Sequence, residues 1–338
     1  MDYKSSGVDV AAGEQAVLNI KSMVSKTYNR NVLSDLGSFG GLYRLDLSKW
    51  QHPVLVSSTD GVGTKLRVAI MAERFDSVGQ CLVNHCVNDI LVQGAHPQFF
   101  LDYIGLAGMD GRMVEEIIKG MVQACQENSC ALIGGEMAEM PGIYQPGDFD
   151  LAGTIVGLVE EEQVLPRNLS AGDVLMAFPS TGLHTNGYSL ARRIVFDRMK
   201  YTVHSYITEL GASLIDLLLA VHRSYYHDLL PYLTDSGLHG LAHITGGGIK
   251  GNLKRIIPAD LAAEVSFMKI RILPFFAWLA KIGGLEMEAS FEAFNLGVGM
   301  IAVVTEELAS KLEVSTEAYR IGNLIRRSGD LDAVQVVL

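Results

Sequence analysis

Apolar residues recur at helical spacing at Ala16/Val17, Ile20 and Met23/Val24, which predicts an amphipathic helix over residues 11–26. A glycine loop at 36–43 follows, and the pattern then changes. PVLVSST at 53–59 is a short β-rich run that meets the turn DGVG and a helix-length segment, TKLRVAIMAERF. The alternation continues with a helix over 78–95 closed by Gly94, a strand at PQFFLDYIGLAG and a helix over 111–128. Strands at CALIGGE and DFDLAGTIVGLVE complete the series.

Residues 160–172 are polar, contain Pro166 and Gly172, and interrupt the apolar periodicity. Such a stretch marks a domain boundary and predicts two domains, 1–165 and 166–338. The second series opens with a strand at DVLMAFPS and a helix from about 186. It goes on with a strongly apolar helix near 213–231, LAHIT before three glycines, and a helix near 274–282. VGMIAVV and AYRIGNLI read as strands. Both halves are therefore predicted as α/β layers.

Composition supports a globular chain with a large core. Of 338 residues 49% are hydrophobic and 19% charged, which excludes disorder and a coiled coil. The formal charge of −11 argues against general nucleic-acid or anionic-membrane binding, so anionic ligands need local basic groups or a metal. No stretch approaches the roughly 18 uncharged residues of a membrane span, and the first residues carry no run of signal-peptide length. The four cysteines form two C-x4-C pairs. On helices that offset turns the members about 140° apart, which fits buried reduced thiols of a cytosolic protein better than a zinc site.

Three sets of residues carry candidate chemistry. Asp60, Gly61, Gly63, Thr64 and Lys65 lie where a predicted strand turns into a helix, the natural place for phosphate. Glycine lets backbone N–H groups approach, the helix terminus and Lys65 add positive charge, and Asp60 suits Mg2+. The spacing matches neither a Walker loop nor a dinucleotide loop. A second set is made of carboxylates in unusual settings: Asp89 in an apolar helical stretch, Glu136 and Glu139 in GGEMAEMPG, Asp148 and Asp150 in GDFD, and Asp102 in a strand. The third is a pair of glycine-histidine segments, one running from Ser180 through His184 and Asn186 to Gly187. The other runs from His243 through Thr245 to Gly246, Gly247 and Gly248. These glycines suit a second phosphate and the histidines proton transfer. His52, His85, His96, His204, His222, His227 and His239 lack such a setting.

In order along the chain, YKSSGVDVAAG, STDGVGTKL, VNDILVQGA, FFLDY, GGEMAEMPGIY, HTNGYSL, HITGGG, FNLGVGM and YRIGNLI resemble the phosphoribosylformylglycinamidine cyclo-ligase (AIR synthetase) family nearly end to end. The resemblance implies a two-domain α/β fold whose N-terminal half-barrel sheets pair across a homodimer. It implies ATP and Mg2+, and a cytoplasmic enzyme of purine biosynthesis. ATP activates the formyl oxygen of formylglycinamidine ribonucleotide, the amidine nitrogen closes the ring, and aminoimidazole ribonucleotide, ADP and phosphate leave.

By the same resemblance, Asp60, Asp89 and Glu136 hold the metal. Lys21, Asp60, Gly61, Gly63, Thr64 and Lys65 hold the nucleotide. His184, Asn186, Thr245 and Gly246 to Gly248 line the substrate side. His243 is the catalytic histidine, supported by Lys65 and Asp89. Two places depart from the family pattern: Val221-His222 stands where Pro-Thr is usual, and Glu292-Ala293 where Arg-Thr is usual. The alternatives are a thiamine-phosphate kinase-like enzyme and a non-catalytic nucleotide-binding dimer.

Overall fold

The computed structural model describes residues 10–329 and 331–337, so most of YKSSGVDVAAG lies outside the described residues. Its chain divides into two compact units, one of residues 10–90 and 95–161, the other of 91–94 and 162 onward. The division falls four residues ahead of the predicted cut at 165/166.

The first unit holds α1 (Val10–Val24), β1 (Pro53–Gly61), α2 (Lys65–Ala72), α3 (Asp76–Leu91), β2 (His96–Leu106), α4 (Gly111–Glu127), β3 (Ala131–Glu139) and β4 (Phe149–Glu160). The four strands form one sheet in the order β1-β4-β2-β3, antiparallel except for the β2–β3 pair. One face carries α3, and there glycine lets the helix sit close. A Cβ on Gly153 would lie 2.1 Å from Phe100 Cζ and 3.1 Å from Leu82 Cγ, and one on Gly157 would lie 2.6 Å from Ile90 Cδ1. Strand alternation sends Leu55, Ser57 and Thr59 to the other face, where Leu55 is 59% exposed.

The second unit is built on a six-stranded sheet, β12-β9-β11-β5-β10-β8. Its strands are β5 (Val174–Pro179), β8 (Leu238–His243), β9 (Leu261–Ser266), β10 (Val298–Val304), β11 (Tyr319–Arg326) and β12 (Val334–Val337); β6 (Tyr206–Ile207) and β7 (Ala212–Ser213) make a separate small ribbon. β10 is buried at every position, which is why VGMIAVV reads as a continuous apolar run. The helices are α5 (Tyr188–Arg192), α6 (Leu214–Leu218), α7 (Tyr226–Leu229), α8 (Gly248–Leu253), α9 (Pro274–Gly283), α10 (Met287–Ala293) and α11 (Glu306–Ser315). α5 passes directly into a π-helical turn, Arg193–Arg198.

One predicted element is different in kind. The apolar helix near 213–231 is two short helices, α6 and α7, separated by irregular chain from 219 to 225. Tertiary hydrogen bonds hold the break open: Thr181 Oγ1 donates to Val221 O, and Tyr225 OH donates to Pro179 O at 2.9 Å. Both cysteine pairs are free, buried thiols. Burial pushes the Cys125 thiol up, as it does that of Cys86, so both stay protonated.

α3 and α4 meet backbone to backbone. A Cβ on Gly79 would lie 2.0 Å from Ile117 O, and one on Gly120 2.2 Å from Asp76 O. A Gly120→Val chain therefore has to push the helices apart, at a cost of about 3 kcal/mol. The expected result is a lower urea midpoint at unchanged slope, while Gly40→Ala, with nothing within 4 Å, leaves the midpoint in place.

Candidate active site

In the first unit the end of β1 and one face of α3 bring three groups together. His85 Nε2 lies 2.9 Å from Asp60 Oδ2 and 3.6 Å from Asp89 Oδ2. Ser58 Oγ donates to Asp89 Oδ2 at 3.1 Å, and the Gly61 N–H donates to Asp60 Oδ1 at 2.6 Å. His85 and Asp89 share a helix face because they are four residues apart, and Ser58 and Asp60 share a strand face because they are two apart. His85 is buried while the Asp60 side chain is 46% exposed, so the carboxylate presents oxygen to solvent. Oxygen donors from two elements, one of them open, suit a hard cation such as Mg2+.

The neighbouring turn is built as a phosphate loop would be at its glycines but not at its lysine. Gly63 has φ 61°, and a Cβ on Gly61 would lie 3.0 Å from Leu151 O. Thr64 precedes α2 and is exposed. Lys65 is fully buried, with Nζ donating to Cys81 Sγ at 3.1 Å. Its ammonium therefore anchors α2 to α3 and is not presented to solvent.

Glu136 does not join Asp60 and Asp89. β3 and β1 are opposite edges of the sheet, three strand spacings or about 14 Å apart. Glu136 instead lines a cavity of about 120 Å³ whose wall includes Val17, Ile20 and Val24 of α1, the loop Leu36–Ser38, and Asp102. Asp102 leans over Gly135, where a Cβ would lie 2.2 Å from Asp102 Oδ1. Desolvation pushes the Asp102 carboxyl up to about 7. Lys21 follows Ile20 on α1, is exposed, and pairs with Asp35 at 3.4 Å.

In the second unit the two glycine-histidine segments meet at one end of the sheet. Ser180–Gly187 joins β5 to α5, and His243–Gly248 joins β8 to α8. The Thr181 N–H donates to His184 Nε2 at 3.1 Å, the His184 and His222 rings stack at 4.0 Å, and the Nε2 atoms of His222 and His243 are 3.0 Å apart. Thr185 Oγ1 lies 3.3 Å from His222 Nδ1 and accepts from Asn186 Nδ2. Thr245 Oγ1 donates to Asn252 Oδ1, and Asn252 Nδ2 donates to the carbonyls of Gly246 and Gly248. Gly247 and Gly248 have φ of 89° and 59°, and a Cβ on Gly248 would lie 1.9 Å from Phe291 O.

Residues 43–159 match the family model for the N-terminal domain of AIR synthase related proteins, and residues 170–332 match the model for the C-terminal domain. The chain belongs to the AIR synthase related family. Within it, the chain is 42% identical over 341 residues to a phosphoribosylformylglycinamidine cyclo-ligase of Geobacter sulfurreducens, covering 99% of this chain and 98% of that one. It is 44% identical over 336 residues to the protein of that name from Nitrosococcus oceani, with 98% and 93% covered. Solved structures share the AIR synthase related fold. Thiamine-monophosphate kinase from Stenotrophomonas maltophilia superposes with a TM-score of 0.69 at 17% identity over 95% of both chains. A hydrogenase maturation protein HypE in complex with ATP gives 0.65 at 18% identity, over 94% of this chain and 90% of that one.

Two residues of these clusters were missed in the sequence. His85 carried a usable signal, its four-residue offset from Asp89 on a helix. His222 stood out only as part of the Val221-His222 departure and not as a site residue, because the apolar run around it reads as helix and only the tertiary break turns its ring toward His184 and His243.

The raised Asp102 carboxyl has a consequence for stability. Between about pH 4 and pH 7 the unfolded chain releases this proton and the folded chain keeps it, so stability falls as pH rises through that window and levels above it. Asp102 is partly exposed, which limits the effect to about 1 to 3 kcal/mol. Asp102→Asn removes it. The expected result is that Tm of the variant gains on the original between pH 5 and pH 8, with no further gain above.

Proposed function

We propose that this chain is an ATP-dependent cyclo-ligase that converts formylglycinamidine ribonucleotide to aminoimidazole ribonucleotide with release of ADP and phosphate. The observation that carries this reading is 41% to 44% identity, over nearly the whole chain, to curated relatives with the cyclo-ligase name. The thiamine-phosphate kinase alternative rests on likeness of fold at 17% identity.

An amide oxygen is a poor leaving group. Transfer of the γ-phosphoryl group to the formyl oxygen makes it a good one, and attack by the amidine nitrogen on the same carbon then expels phosphate. The protein's share is mostly orientation and charge stabilisation. Asp60 and Asp89 are the residues that would hold Mg2+, which supplies charge neutralisation at the phosphates when bound. Gly63 and Thr64 would present backbone N–H groups to the triphosphate from the turn that Gly61 opens, and Lys65 acts by fixing the turn against Cys81. The apolar cavity beside α1 suits the purine base, with the Asp102 carboxyl, raised to about 7, as its polar partner and Lys21 on the same helix. Glu136 belongs to this cavity in its own chain.

On the second unit, the positive-φ glycines 247 and 248 with Gly246 and Thr245 suit the ribonucleotide phosphate. His184 and Asn186 shape that side, and His243 takes the proton lost at ring closure. The helix-free face of the N-terminal sheet, with Leu55 exposed, supports pairing with a second copy as a homodimer. No helix among the described residues is long and apolar enough to cross a membrane.

Purified protein given ATP, Mg2+ and formylglycinamidine ribonucleotide should release ADP and form aminoimidazole ribonucleotide one for one; substrate-independent ADP release, or none, overturns the reading. Asp60→Asn should lower kcat by about 100-fold or more with the fold retained by circular dichroism. Leu55→Asp should convert the dimer to a monomer in light scattering, and an unchanged mass would remove this face as the interface.

A further inference from the structure

Three histidines of the second unit, His184, His222 and His243, form a connected set. A backbone N–H only donates, so His184 accepts at Nε2 and carries its neutral-state proton on Nδ1. Its ring lies flat against His222, the planes 21° apart, and fixes the plane in which His222 can point. At the 3.0 Å contact between His222 Nε2 and His243 Nε2 one nitrogen donates and the other accepts, because two N–H groups would repel and two lone pairs would leave the buried contact unbonded. At its other end His222 Nδ1 meets Thr185 Oγ1, whose position is held by Asn186 Nδ2.

We infer that His222 is a positioning residue for His243, accepting a hydrogen bond from its Nε2–H and so making Nδ1 the nitrogen that takes the proton from substrate. This rests on the cyclo-ligase reading, in which His243 is the base. His222 Nδ1–H then donates to Thr185 Oγ1. When His243 Nδ1 takes the proton, its imidazolium is held through Nε2–H by the neutral His222, and this bond strengthens as charge develops. The arrangement does for His243 what a carboxylate does for a catalytic histidine elsewhere, fixing tautomer and ring orientation, but with a neutral partner.

Two polar neighbours within the second unit bond elsewhere. Tyr225 approaches His184 at 6.4 Å between ring centres, and burial pushes its phenol far above the ordinary value, so it stays a neutral donor to Pro179 O. Arg223, next in sequence to His222, directs its guanidinium to Asp228 at 2.9 Å and Glu317 at 2.6 Å. Gly299 makes the packing possible: a Cβ there would lie 1.9 Å from Tyr225 OH and 2.7 Å from His184 Cε1.

The test joins kinetics to the imidazole nitrogen spectrum of the full-length protein labelled with 15N-histidine. His222→Phe, which keeps a ring and removes the acceptor, should lower kcat about 10- to 100-fold with KM for ATP unchanged. His222→Gln, whose side-chain oxygen can accept the same bond, should recover most of the loss. The spectrum of the original protein should show His243 protonated at Nε2 and His222 at Nδ1 in their neutral forms. Unchanged kcat in His222→Phe, or His243 protonated at Nδ1 instead, overturns the inference. Failure of the underlying reading looks different: the original protein makes no aminoimidazole ribonucleotide, or His243→Ala turns over normally.

Discussion

The closeness of α3 to the four-stranded sheet is the constraint on which the N-terminal site depends. Ser58 and Asp60 lie on a strand and His85 and Asp89 on a helix, and the contacts that bridge them, His85 to Asp60 at 2.9 Å and Ser58 to Asp89 at 3.1 Å, require the two elements to lie close together. Side chains at 153 and 157 would forbid that, since even a methyl group meets Phe100, Leu82 or Ile90 inside van der Waals distance. Gly79 does the same on the opposite side of α3, where it admits the Ile117 carbonyl of α4. The helix is thus clamped between a sheet and a helix at positions without side chains. Lys65, buried against Cys81 of this helix, ties the phosphate-type turn to the same clamp. A cation that looks in sequence like a ligand for phosphate is buried here against the neighbouring helix.

Much of this was legible in the sequence, for identifiable reasons. α1, α4, β2 and β10 follow from periodicity because each buries one stripe or a whole strand, and the burial is written in the residue types. The turns at Gly61–Gly63 and Gly246–Gly248 follow from glycine runs at strand ends, since positive φ or close approach leaves few other residues possible. Asp89 stood out because an ionised group between Val87 and Ile90 is costly without partners, and Ser58 and His85 are those partners. What periodicity does not carry is the distance between strands. Glu136 and Asp60 both look like metal ligands along the chain, and only the order β1-β4-β2-β3 puts them at opposite edges. The raised carboxyl of Asp102 is equally a product of what α1, α4 and β3 enclose around it, and no local pattern announces it.

The run from 213 to 231 shows how an apolar pattern can mislead and why the error matters. Leu214, Leu218, Leu219, Tyr226 and Leu229 are all buried, so the composition is that of a packed helix. Hydrogen bonding decides otherwise. Val221 O is taken by Thr181 rather than by a helical N–H, Tyr225 OH reaches back to Pro179, and Arg223 is drawn outward by Asp228 and Glu317. An unbroken helix would carry His222 along its own axis. The break instead swings the ring against His184 and His243, where a buried imidazole finds a stacking face and two hydrogen-bonding partners. The cost of interrupting a helix at seven residues is offset by satisfying those polar groups in the interior, and it brings three histidines into contact, one of them oriented by the Thr181 backbone donor. The contact between His222 and His243 is therefore set by the chain's departure from helical periodicity, at a point where local propensity alone would have extended the helix.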